Sequence, residues 1–335
     1  MFYLCARKQQ FYSNKLMDVS IIIVNYNTIS LLLNAIYSIF SKTEGIEYEV
    51  IVIDNHSSDN SKTILDENFG NKVVYFPLEE NIGFGRANNE AIKIAKGRNL
   101  FFLNPDTLLL NNAVKILSDF LDNNERAGCC GGNLTDVDGN PVLSFGRFYV
   151  PSVFDAINQL FTLIPEKIFF GKNSFYNFND KPIKVKYITG ADLMIRKQLF
   201  ESLHGYDPDF FMYYEETELE YRAIKAGYDV YCVPNSRITH LEGKSLSNNN
   251  DKYRKYSISQ KIFIQKLYGT KTLCCICIIL YLILFSRISV FSIFKKEKLK
   301  YWLDIYKSFS MRSKTNIFNS VCSFYSAFQI NYTDR

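Results

Sequence analysis

The stretch VSIIIVNYNTISLLLNAIYSIFSKTEGIEYEVIVIDN, residues 19–55, decides the fold class. VSIIIV (19–24) is β-branched and apolar, the pattern of a strand buried on both faces, and Asn25-Tyr26-Asn27 ends it. Leu31, Leu32, Ala35, Ile36 and Ile39 then recur at helical spacing. EVIVID (49–54) is a second buried strand, ending on an aspartate. Further along, Ser57, Ser58 and Asp59 are N-cap residue types for the next helix. KVVYF (72–76) is a third strand, and Ala87, Ala91, Ile94 and Ala95 form another helical stripe. NLFFLN (99–104) is a fourth strand, again ending in polar residues. Strands alternating with helices predict an α/β fold, a Rossmann-like, mostly parallel sheet flanked by helices.

In such a sheet, ligands collect at the carboxyl ends of the strands. Asn25, Asn27, Asp54, Asn55, Asn104 and Asp106 stand there. Asn and Asp also end strands as plain turn formers. Three strands delivering polar side chains to one rim point instead to a nucleotide-type crevice.

Charge divides the 335-residue chain. Residues 1–251 carry 24 Lys+Arg against 31 Asp+Glu, 24 − 31 = −7; residues 252–335 carry 15 against 3, 15 − 3 = +12. An acidic body with a basic tail, and no recognised binding motif, argues against a nucleic-acid partner. At 47% hydrophobic and 22% charged, the composition excludes global disorder. The eight cysteines are Cys5, Cys129, Cys130, Cys232, Cys274, Cys275, Cys277 and Cys322. Only Cys274 and Cys277 have C-x-x-C spacing, inside an apolar run where they read as filler. Residues 1–16 lack the apolar core of a signal peptide, which makes a reducing cytoplasm the expected compartment. Met17 precedes the first strand, so the expected organisation is an extension over 1–16 or a native start at Met17. A globular α/β body over 17–250 and a helical region over 251–335 follow.

Seven segments in order carry a family resemblance: VSIIIVNYN (19–27), VIDNHSSDNS (52–61), ENIGFGRANNEAI (80–92), FFLNPDTLLL (101–110), TGADLMIRKQLF (189–200), GYDPDFFMYYEETELEYRAIKAGY (205–228) and VPNSRITHLEGKS (233–245). Together they resemble the family 2 glycosyltransferases of GT-A fold, and most of all their rhamnosyltransferase-like subgroup, which decorates bacterial polysaccharides. The resemblance implies inverting transfer of a sugar, rhamnose among the candidates, from a nucleoside diphosphate sugar to a glycan or lipid-linked acceptor.

The resemblance also implies roles for individual residues. Asp54 would grip the nucleotide by accepting from a base N–H or ribose hydroxyl, with Asn27 lining the same pocket. Asn81, Arg86 and Asn88 would sit near the donor, Arg86 as a partner for the diphosphate or in a surface ion pair. The family's D-x-D appears as Asn104-Pro105-Asp106, so Asp106 alone would carry the carboxylate contact to a divalent cation, Mg²⁺ or Mn²⁺. His240, in THLEGKS, would reach the metal or diphosphate. Glu216 falls at the position of the general base that removes the acceptor hydroxyl's proton. A helix starting here would put Glu215 and Glu218 on one face and Glu216 about 100° away, with Glu218 and Arg222 paired at i,i+4. Glu215 and Glu218 are expected to shape the substrate site, and Asp192 to bond a sugar hydroxyl. Phe210, Phe211, Tyr213 and Tyr214 read equally as a sugar platform or as core.

LCCICIILYLILF (273–285) is a run of thirteen apolar residues, and KKEKLK (295–300) follows it. Spanning a bilayer takes about 20 such residues. An interfacial segment on the inner face of the cell membrane, a span, and a helix buried against the body all fit. Two other functions stay open: a non-catalytic nucleotide-sugar or glycan binder of the same fold, and a nucleotidyltransferase-type enzyme.

Overall fold

The computed structural model describes residues 17–147, 149, 175–241, 249–294, 303 and 306. The expected extension 1–16, Cys5, Cys322, Gly243 to Ser245 of the last family segment, and KKEKLK lie outside the described residues.

β1 (Val19–Asn25) is buried along its whole length. Ile21, Ile22 and Ile23 are fully buried, each contributing about 2 kcal/mol. The one hydroxyl inside this strand is satisfied: Ser20 donates to Glu49 (2.7 Å) and accepts from the Gly97 N–H (2.8 Å). α1 (Ile29–Lys42), β2 (Tyr48–Asp54), α2 (Ser61–Phe69), β3 (Val73–Pro77), α3 (Phe84–Ile92) and β4 (Asn99–Leu103) follow in the expected alternation. β1 pairs in parallel with β2 and β4, and β2 with β3.

Beyond β4 the sheet becomes mixed. β5 (Thr107–Leu109), α4 (Ala113–Asp122), β6 (Ala127–Thr135), β7 (Phe145–Gly146), β8 (Ile183–Val185), β9 (Tyr187–Ile188), β10 (Asp192–Arg196), α5 (Lys197–Ser202), α6 (Glu215–Lys225) and β11 (Asp229–His240) complete the body. The main sheet runs β3–β2–β1–β4–β10–β6–β11–β5, with β8 on β11. β10 lies antiparallel to both β4 and β6, while β6 and β11 are parallel. One face packs Ile21, Ile23 and Val52 against Leu32 and Ile36 of α1 and Leu117 of α4. The other packs Ile22, Ile51 and Phe102 against Ala87 and Ala91 of α3, Phe200 and Leu219.

The expected cap of α2 is displaced. The helix starts at Ser61 behind Asn60, which takes a left-handed φ of 51°. Ser57 and Asp59 are committed elsewhere: the Ser57 hydroxyl accepts from Asn25 and the Asn27 N–H, and Asp59 accepts from the Ile29 N–H at the start of α1.

After the body comes α7 (Asn249–Phe294), broken at Gly269 (φ 80°, ψ 170°). Its first half packs Phe263 and Ile264 on Phe210 and Tyr214 of the body, and Leu273 and Cys277 beyond the break join the same cluster. Ile278, Leu282 and Phe285, spaced i, i+4, i+7, are exposed. Among the described residues, no helix is long and apolar enough to cross a membrane. Cys129, Cys130, Cys232, Cys274, Cys275 and Cys277 are free thiols.

Candidate active site

Parallel register sets Asn25 directly beside Asp54 at the carboxyl ends of β1 and β2. Asn25 Nδ2 donates to Asp54 Oδ1 (2.8 Å) and to the Ser61 hydroxyl (2.8 Å). The Ser57 N–H donates to Asp54 Oδ2 (3.0 Å), and the Tyr75 hydroxyl stands close to this carboxylate. Burial first, then the Asp54 charge, pushes the Tyr75 phenol well above its ordinary pKa, so it stays a donor. Asn25 and the Ser57 N–H thus take one acceptor site on each Asp54 oxygen, and the carboxylate keeps capacity to accept from a ligand. Asn27, left-handed at φ 55°, accepts from the Ser58 N–H (2.8 Å) and pins the adjoining turn.

Asn55 ties this wall to the next. Its Oδ1 accepts from the Ile82 N–H (3.0 Å) and its Nδ2 donates to Asn81 (3.0 Å), which also accepts from the Gly83 N–H (3.1 Å). Gly83 needs its lack of a side chain: at φ 91°, a Cβ there would lie 2.4 Å from the Phe211 carbonyl oxygen. The next amide, Phe84 N–H, donates to that same oxygen (2.9 Å). Arg86 gives Nε and Nη2 to the Pro208 carbonyl (2.8 and 2.5 Å). Asn88 is buried, donates to the Phe84 carbonyl (3.1 Å) and leaves Oδ1 without a partner among the described residues. Arg86, the Phe84 N–H and Asn89, which bonds both backbone groups of Tyr206, therefore fasten the glycine-rich turn to segment 206–211, while Asn81 ties that turn to Asn55 and Asn88 bonds back within its own helix.

Asp106 and His240 meet across the sheet edge. β5 pairs with the end of β11, Thr107 opposite His240, and the Leu241 N–H donates to the Asp106 carbonyl (2.9 Å). His240 Nε2 stands 3.4 Å from Asp106 Oδ1, and Asp106 is buried. A carboxylate oxygen and an imidazole nitrogen side by side suit a divalent cation that draws its other ligands from phosphate and water. Among the described residues no group of three or more His, Cys, Asp or Glu forms a closed metal cage.

Asn104 N–H donates to the Ala191 carbonyl (3.0 Å), joining that corner to Gly190-Ala191. A methyl built on Gly190 would stand 3.5 Å from Glu216 Cδ and 3.6 Å from its Oε2. Glu216 thus faces the turn whose neighbour holds the Asp106 corner. Asp192, next in the chain, is fully buried; Oδ2 accepts from the Gly132 N–H (2.6 Å) and Oδ1 has no partner among the described residues. Burial holds its pKa well above the ordinary carboxylate range.

The acidic run does begin a helix, with Tyr214 as its N-cap. Glu215 is buried, packs against Gly85 and leaves Oε2 unpartnered among the described residues. Burial first, and then the Glu216 charge, raises its pKa strongly, so it is the protonated member of the pair. Glu216 is half-buried, and burial pushes its pKa up to about 7. Glu218 is held by Arg222 (2.6–2.9 Å), which also donates to the Leu203 and Gly205 carbonyls. Glu220, which sequence reasoning passed over, is fully buried and receives the Ile188 N–H on both oxygens (2.9 and 3.1 Å). Its place one helical turn after Glu216 was the available signal. Of the aromatic residues before the run, Phe210 and Tyr214 are core against α7, and Phe211 is exposed.

Comparison with known proteins agrees with this architecture. The model of glycosyl transferase family 2 matches residues 20–203. The O-antigen chain rhamnosyltransferase WbaN of Salmonella anatum is 28% identical over 217 residues, covering 64% of this chain and 63% of that protein. The N-acetylglucosaminyl-diphospho-decaprenol L-rhamnosyltransferase of Mycobacterium tuberculosis is 25% identical over 221 residues, 58% of this chain and 67% of its own. Among solved structures, GalNAc-T7 with UDP, GalNAc and Mn²⁺ superposes with a TM-score of 0.52 at 22% identity, covering 74% of this chain and 48% of that one. The likeness extends to the fold.

Proposed function

The chain belongs to glycosyl transferase family 2, and from that premise we propose that it is an inverting, metal-dependent transferase of nucleoside diphosphate sugars. Rhamnose is the favoured sugar, because two of its relatives are named rhamnosyltransferases. The acceptor is a glycan or a lipid-linked glycan. The observation that carries the reading is the continuous rim from the Asp106–His240 pair, through Asn104 and Ala191, to Gly190 and Glu216.

Asp54 would accept from the nucleotide at its remaining acceptor capacity, with Asn27 and Asn81 shaping the walls around it. Asp106 and His240 would hold Mg²⁺ or Mn²⁺, which when bound stabilises the charge on the leaving diphosphate as a Lewis acid. Glu216 takes the acceptor hydroxyl's proton onto a carboxylate oxygen as that hydroxyl attacks the anomeric carbon. Its pKa near 7 makes it a stronger base than an exposed glutamate, yet still ionised in a large fraction at neutral pH. Glu215, kept neutral by burial, lets Glu216 ionise without a second negative charge beside it. Exposed Phe211 offers an aromatic face to the acceptor. Ile278, Leu282 and Phe285, followed in sequence by KKEKLK, would rest on an anionic membrane surface at the inner face of the cell membrane.

The test is a thermal-shift screen of dTDP-, UDP- and GDP-sugars with Mn²⁺, followed by product analysis. The expected result is a melting rise with one nucleotide class and release of its nucleoside diphosphate on transfer. Pyrophosphate release would identify a nucleotidyltransferase, and donor binding without transfer would identify a binding protein.

A further inference from the structure

The two residues before the acidic helix are held in an unfavourable backbone state. Tyr213 (φ 72°) and Tyr214 (φ 68°) are consecutive non-glycine residues in the left-handed region. A side chain there brings Cβ too close to the following carbonyl, so the conformation persists only where surrounding contacts impose it. The Tyr214 carbonyl starts the helix by accepting from the Glu218 N–H (2.9 Å), and Glu216 is two residues on. Whatever fixes Tyr214 therefore fixes the direction in which Glu216 leaves the helix start.

Those contacts come from α7, outside the glycosyltransferase body. The Tyr214 and Tyr256 hydroxyls are hydrogen-bonded (2.9 Å), and Gln260 Nε2 donates to the Tyr214 oxygen (3.1 Å). The Tyr256 ring lies 5.8 Å from that of Tyr213 and 5.2 Å from that of Tyr214, and Phe263 is 5.2 Å from Tyr214. The Ser259 hydroxyl donates to the Met212 carbonyl (2.7 Å), just before the strained pair. At the far end of the contact, Lys266 bridges Asp207 and Asp209 (2.5 and 2.6 Å).

We propose that Tyr256 and Gln260 are positioning residues: through the Tyr214 hydroxyl they lock the left-handed helix entry and aim Glu216 at the acceptor. This rests on the base role given to Glu216 above. The tail then contributes to catalysis by orientation, beyond its packing. A base displaced by a fraction of an ångström loses rate and leaves donor binding untouched, because the donor sits on the other wall of the rim.

The test compares four full-length variants by steady-state kinetics and melting temperature. Tyr256→Phe with Gln260→Met keeps the packing and removes both partners of the Tyr214 hydroxyl. The expected result is a kcat about tenfold lower or more, with the donor KM within about twofold of the parent. Tyr214→Phe should reproduce that loss and should not add to it when combined, as expected of one coupled unit. Lys266→Met, which loosens the same helix away from Tyr214, should lower the melting temperature and keep kcat. Parent-like kcat in Tyr256→Phe/Gln260→Met, or an equal kcat loss in Lys266→Met, overturns the proposal and leaves α7 as packing. Glu216→Gln runs alongside: if it stays active, the base assignment itself fails and the positioning role fails with it.

Discussion

Replacing Glu216 with glutamine should make the protein more stable and nearly inactive, and the stability gain should depend on pH. The pKa of Glu216 stands at about 7, against an ordinary 4.5, because burial disfavours its charge. Moving a carboxyl that far costs the charged folded state about 3 kcal/mol at 1.36 kcal/mol per pH unit, and partial contact with water at this half-buried site reduces it to about 2 kcal/mol. The sign follows from linkage, since the folded state holds its proton to higher pH than the unfolded chain. Below pH 4.5 the carboxyl is neutral in both states, and glutamine gains nothing. Between 4.5 and 7 the unfolded chain ionises first and the parent loses stability as pH rises. Above 7 the full penalty stands, and the variant should melt about 4–8 °C higher at pH 8. Denaturant and thermal melts at pH 4.5, 6 and 8, in EDTA and without donor, measure this directly. Transfer should fall about a hundredfold or more, the usual contribution of a general base. A gain that is equal at all three pH values, or a loss of stability at pH 8, refutes the burial argument; transfer within tenfold of the parent refutes the base.

Three further outcomes follow from the same geometry. Asp106→Asn and His240→Ala should each abolish the Mn²⁺-dependent part of the donor thermal shift and reduce transfer at least about a hundredfold, read by melting curves with and without Mn²⁺. Glu218→Ala strands Arg222 beside its buried carbonyl partners and should cost about 2–3 kcal/mol in urea unfolding, with kcat changed less than about threefold. Gly83→Ala should cost about 2–3 kcal/mol, combining the left-handed φ of 91° with loss of the Phe84–Phe211 backbone bond, and should weaken donor binding in a titration.

The parallel half of the sheet was legible because β1, β2 and β4 are buried on both faces, which writes an unbroken apolar run into the sequence. The strand-end rim followed from it, since every parallel strand delivers its last polar residue to the same edge. The antiparallel insertion of Asp192–Arg196 between β4 and β6 was not legible. A five-residue buried strand has the same composition in either direction, and only long-range pairing decides its sense. The α2 cap was misread for a related reason. Ser57 and Asp59 have capping side chains, but Asn25, Asn27 and Ile29, about thirty residues upstream, take them first. Arg86 shows a related effect at the site: the Pro208 carbonyl, 122 residues away, takes two of the N–H donors of its guanidinium, a contact that its sequence position does not announce.

The acidic helix shows why residue type alone could not apportion the chemistry. Glu215, Glu216, Glu218 and Glu220 lie within two turns of one helix and share one functional group. Each meets a different environment. Glu215 turns into the wall beside Gly85, finds no donor for Oε2 among the described residues and keeps its proton. Glu218 finds the Arg222 guanidinium one turn on. Glu220 takes the Ile188 N–H and so braces the strand that leads to Gly190. Glu216 is left half-exposed, facing that turn, and among the described residues it has no cation partner and only Thr217 as a side-chain hydrogen-bond partner. Helical geometry explains only part of the division: Glu215 and Glu218 share one face and Glu216 and Glu220 another, and packing then gives the two members of each face different surroundings. Glu220 is expected to matter to catalysis through the Gly190 turn that it braces, and Glu218 to stability through the 203–205 loop.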